Sequence, residues 1–124
     1  MLLLTIAFIL DGVLVFAQTQ KAFFSVNIEV GKTFVSNYKV KDTYSKQTYK
    51  NTFTNTILTS PCPKCVIAVT FQRKDGDSTE RAVLMGQEIT CNVTGLWEPG
   101  QYRIKIRRSD PTTLTTYTSG EWTY

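Results

Sequence analysis

The residues most able to do chemistry in this chain are three cysteines, a scatter of carboxylates and many hydroxyls. Cys62-Pro-Lys-Cys65 has the spacing of a redox dithiol or of half a zinc site, and Cys91 supplies a third sulfur. A redox pair of this kind works at a strand-to-helix turn within a βαβ unit, and no such pattern surrounds it. A structural zinc site takes four ligands, whereas three cysteines and no histidine fall short. The absence of histidine also removes the usual general base and the Ser-His-Asp triad. Ser and Thr are plentiful, yet no base stands beside any of them along the chain. Glu88, Glu98 and Glu121 come from separate segments, while glycoside hydrolysis needs two facing carboxylates. Asp75 and Asp77 flank Gly76 with too few oxygen ligands to hold calcium. The expectation is a protein that is not an enzyme and uses no metal or cofactor.

The cysteines then read as structural, with one internal disulfide and one thiol left over. If Arg73 opposes Glu80 across the turn at Asp75-Gly76, Cys62 falls opposite Cys91. If side-chain phase decides instead, Cys65 and Cys91 share the inward face as diagonal neighbours. Phase usually fixes register where one face is buried, which favours Cys65–Cys91. The odd cysteine offers a route to a disulfide-linked homodimer. Asn92-Val93-Thr94 is a glycosylation sequon, and it fits an exposed Asn92 between inward Cys91 and Val93.

Residues 1–17 read as a signal peptide: Leu2–Leu10 is an apolar run, and Val15-Phe16-Ala17 resembles a cleavage site. The run is too short, and too interrupted by Asp11, for a membrane span. Residues 18–124 then form a single domain, secreted or held at the cell surface. With 14 basic and 10 acidic residues the chain carries +4, and loss of Asp11 leaves about +5. The basic residues fall mainly in Lys39–Lys50 and Arg103–Arg108 without nucleic-acid motifs, so nucleic acid is not expected as a partner.

From Phe23 onward the pattern is of strands. Phe24, Val26, Ile28 and Val30 alternate, as do Cys65, Ile67, Val69 and Phe71. Gln47–Leu58 interleaves Tyr49, Phe53 and Ile57 with threonines, and Lys41–Lys46 reads as a polar loop. Glu80–Val93 reads as one strand broken or bulged at Gly86. Tyr102, Ile104 and Ile106 form an inward row against outward Arg103, Lys105 and Arg107. About seven strands with frequent turns predict an antiparallel β-sandwich, with a small β-barrel as the alternative.

Leu96-Trp-Glu-Pro-Gly-Gln-Tyr102, followed by alternating apolar and basic residues, resembles the loop entering the penultimate strand of fibronectin type III and immunoglobulin-like domains. The resemblance implies a buried Tyr102 whose hydroxyl bonds back to the loop, and a Leu96 that plugs the end of the core. The leading expectation for function is a secreted, non-enzymatic β-sandwich that binds another protein. The candidate surface is the Leu96–Gly100 loop with Trp97, Arg103, Lys105 and Arg107. Trp97 and Trp122 with neighbouring tyrosines offer a second reading, a glycan platform. A structural subunit of a surface assembly is a third.

Overall fold

The computed structural model describes residues 18–56, 61–110 and 114–124, together with the backbones of Ala7–Leu10 and Val13–Phe16. These last two segments are strands β1 and β2, which pair antiparallel as their own small sheet. The Asp11-Gly12 interruption, the Ala17 cleavage position, Ile57, Leu58 and Pro111 lie outside the described residues.

The remaining strands build two antiparallel sheets face to face. One contains β3 (Lys21–Ile28), β6 (Thr48–Thr56), β9 (Glu88–Thr90) and β11 (Thr116–Thr123), in the order β3-β11-β6-β9. The other contains β4 (Thr33–Val35), β5 (Lys39–Lys41), β7 (Ile67–Arg73), β8 (Ser78–Val83) and β10 (Gly100–Arg108). Its order is β4-β10-β7-β8, with β5 pairing further along the β4 side of β10. Both sheets keep open edges, so the architecture is a sandwich and not a closed barrel. The sequence predicts about seven strands, and among the described residues the sandwich has nine, or eight if β4 and β5 count as one interrupted edge. The extra ones are three-residue strands, too short to show alternation. Each sheet interleaves early and late strands, which is the two-sheet Greek-key order of a jelly roll.

The inward rows explain the packing. In β10, Tyr102, Ile104 and Ile106 are fully buried, and in β7 Ile67, Val69 and Phe71 are too. They meet Tyr49 and Trp122 from the opposite sheet, with Ile28, Val83, Ile89, Cys91 and Leu96 completing one core. Trp122 stacks on Tyr124 at 4.4 Å and lies 6.4 Å from Phe24. Where Tyr49 crosses β11 the neighbour is Gly120, and a Cβ there would run into the phenol ring and the Lys50 carbonyl. That close approach accounts for a glycine inside a strand.

Two local devices reset the predicted phases. Between Ser119 and Gly120 the β6–β11 register shifts, leaving Thr52 as an extra residue on β6. The bulge turns Phe53 out of the core row; it meets Tyr117 on the outside, at 6.1 Å. Buried Asn51, Thr54 and Thr118 bond to one another beneath it. Gly86, at φ 83°, then ends the predicted Glu80–Val93 strand as a turn. Past that turn β9 joins the other sheet and pairs with β6. Val30 and Val93, predicted inward, are exposed because each lies beyond the end of its strand.

Candidate functional site

The cysteines pair differently from either predicted bridge. The disulfide joins Cys62 to Cys65 across a tight turn, in which the Cys65 N–H donates to the Cys62 carbonyl at 3.1 Å. Cys91 is the free thiol, fully buried. The prediction fails for two reasons. The β7–β8 hairpin turns earlier than assumed, placing Glu80 opposite Thr70 instead of Arg73. Gly86 then carries Cys91 into the opposing sheet. Burial pushes the Cys91 thiol up, and its sulfur is not presented to a second chain. Asn92, beside it, is exposed as the sequon reading expects.

The loop before β10 is anchored by two buried side chains. Tyr102 is fully buried, and its hydroxyl donates to the Glu98 carbonyl at 2.7 Å. Leu96, in a single 3₁₀ turn over Thr94–Leu96, is fully buried at the core's end. Arg73 clamps the same loop through Glu98 at 2.8 Å, and it also pairs with Asp75 of the β7–β8 turn at 2.8 Å. Trp97 is tied down as well: its indole N–H donates to the Cys91 carbonyl at 2.7 Å, Tyr44 meets it edge-on, and Lys46 lies over its ring. Trp122 is not a surface residue at all. It is fully buried, with its N–H on Gln47 Oε1 at 2.9 Å, because the inward phase of β11 carries it into the core. The paired Trp platform for a glycan is therefore not formed.

The outward row of β10 is partly exposed, as predicted, but its charges differ in state. Arg107 forms a two-point ion pair with Glu80, whose carboxyl it holds below the usual range. Arg108 is similarly paired with Asp110. Arg103 and Lys105 have no carboxylate at ion-pair distance among the described residues. Arg103 instead stacks on Tyr38, 4.8 Å from the ring centroid, and bonds to Gln72. Lys74, also without a carboxylate among the described residues, approaches the same ring at 5.5 Å. Val35 and Val40 are exposed on the strands that flank β10 here. Sequence reasoning found Arg103 and Lys105 but missed Tyr38 and Lys74, which reach the patch from other segments.

The second missed group is Lys41. It belongs to strand β5 and not to a loop, and it is 1% exposed while its neighbour Val40 is 59% exposed. Among the described residues the Lys41 ammonium bonds to hydroxyls alone: Ser45 Oγ at 2.6 Å and Thr43 Oγ1 at 3.4 Å. Those two oxygens are 2.7 Å apart. Burial alone pushes the amine down to about 8. The covering segment is pinned by the Ser45 N–H on the Trp97 carbonyl at 3.0 Å and by Gln47 Nε2 on the Leu96 carbonyl at 2.7 Å. Among the described residues no cluster of three or more His, Cys, Asp or Glu could hold a metal, and no helix is long and apolar enough to cross a membrane. Comparison with protein-family models, curated proteins and solved structures gives no match.

Proposed function

We propose that the protein is an extracellular binding module that docks an acidic surface of another protein onto the outer face of β10. One observation carries this reading. Arg103 and Lys74 meet at the Tyr38 ring and Lys105 follows two residues along β10, all three without carboxylate partners among the described residues, while Arg73, Arg107 and Arg108 are all paired. Unpaired cations beside a partly exposed ring and two exposed valines offer charge attraction and apolar contact together. The loop at Leu96–Gly100 is held by bonds within the domain, through Glu98, Trp97 and Tyr102.

The test is binding of a Glu-rich peptide by titration at rising ionic strength. Arg103→Glu with Lys105→Glu is expected to weaken binding by about tenfold or more at low salt, and about 0.5 M salt to erase the difference. Equal binding by wild type and the reversed variant would remove the reading.

A further inference from the structure

We propose that Ser45 and Lys41 form a nucleophile–base pair that takes activated acyl groups, with Thr43 as the positioning residue. This goes beyond the binding reading and uses none of the residues of its docking face. A serine hydroxyl is a weak nucleophile until a neighbouring base can accept its proton. The sequence shows no such base, but the fold brings an amine to 2.6 Å from Ser45 Oγ. The amine is shielded from solvent and, among the described residues, has no carboxylate at ion-pair distance; the groups that hold the ammonium form there are the two hydroxyls. Thr43 Oγ1 contacts both partners and fixes their approach. Ser45 as a residue is partly exposed, whereas Lys41 is covered.

In the reaction, Ser45 Oγ attacks the acyl carbon while its proton passes to neutral Lys41 Nζ. The bond to the leaving group breaks, and the leaving group takes that proton from Lys41. Water then cleaves the acyl-serine, giving one proton to Lys41, which returns it to Ser45 Oγ. The Ser45 N–H is committed to the Trp97 carbonyl and so does not stabilise the oxyanion. The site is therefore suited to acyl groups with good leaving groups, such as aryl esters. Tyr44, next to Ser45 in the chain, meets Trp97 edge-on at 6.3 Å.

The test is labelling of the full chain with a serine-directed fluorophosphonate, with the adduct placed by mass spectrometry. The expected adduct is on Ser45, absent in Ser45→Ala. Lys41→Met should slow labelling by about a hundredfold, and Lys41→Arg, which keeps the cation, should slow it equally. The wild-type rate should climb towards pH 8 and level off above it. Thr43→Val should lower the rate, and Thr43→Ser should restore it with the same pH profile. If the Lys41 variants do not fold, the wild-type profile decides: a rate on Ser45 rising only as hydroxide does, without levelling, overturns the pair. No labelling of Ser45 above that of an exposed serine overturns it as well.

Discussion

Strands β10 and β5 lie side by side and obey opposite rules. β10 turns Tyr102, Ile104 and Ile106 inward and its basic residues outward, while β5 buries Lys41 and exposes Val40. The long strand has a neighbour on each side and an apolar sheet facing it, so the hydrophobic effect sets its phase. The three-residue edge strand has too little apolar surface to set its own. Its phase follows from its pairing with β10 and from the segment that folds over it. An inward charge on a short edge strand also discourages pairing with another chain. The contrast teaches that alternation is a guide only where burial is large enough to enforce it.

The sharpest way to break this contrast is to give β10 the character of β5. Ile104→Lys puts an unpaired ammonium in the fully buried row, at a cost of about 5 kcal/mol or more, which is most of the stability of a domain this size. Circular dichroism melting should show little folded protein, and a cooperative melt near the wild-type midpoint would refute it.

The converse exchange, Lys41→Met, should stabilise by about 1–3 kcal/mol at neutral pH, because an apolar side chain of similar length replaces a buried, unpaired cation. The effect depends on pH with a definite sign. The amine titrates near 8 when folded and at 10.5 when unfolded, so between those values the unfolded chain holds the extra proton. Stability of the wild type therefore rises with pH across that window. The advantage of Lys41→Met is full below about pH 8 and shrinks towards pH 10.5, as paired urea titrations at several pH values would show. An advantage that does not change with pH would mean that Lys41 is not desolvated.

The smallest effect is expected for Tyr102→Phe. The ring still fills the core, but the bond to the Glu98 carbonyl is lost, costing about 1 kcal/mol in the same urea assay. A loss several times larger would show that the hydroxyl, more than the ring, orders the loop.

The Tyr102 corner also separates what was legible from what was not. Leu96, Pro99-Gly100 and Tyr102 act within seven residues, and their roles were readable because the turn and the returning hydrogen bond are local. The same local motif says nothing about strand order, which here interleaves early and late strands. The proposed docking face was half legible: Arg103 and Lys105 stand in a clean alternation, but Tyr38 and Lys74 reach that face from distant segments. The Lys41–Ser45 contact was hidden because four residues of polar chain carry no periodicity to distinguish a covered turn from an open loop.

By itself the sequence determined the all-β character, the two-sheet sandwich, and the inward rows of β7 and β10. Each depends on a two-residue period or on turn residues whose conformational preferences are intrinsic. Tertiary structure alone decided that Cys62 pairs with Cys65, that Cys91 and Trp122 are enclosed, and that a lysine is buried beside a serine. These outcomes turn on which sheet each strand joins. A single turn at Gly86 or one extra residue at Thr52 changes that membership or phase. The physical reason is range: side-chain alternation is a property of neighbours in the chain, whereas burial is a property of whatever the folded chain brings to lie on top.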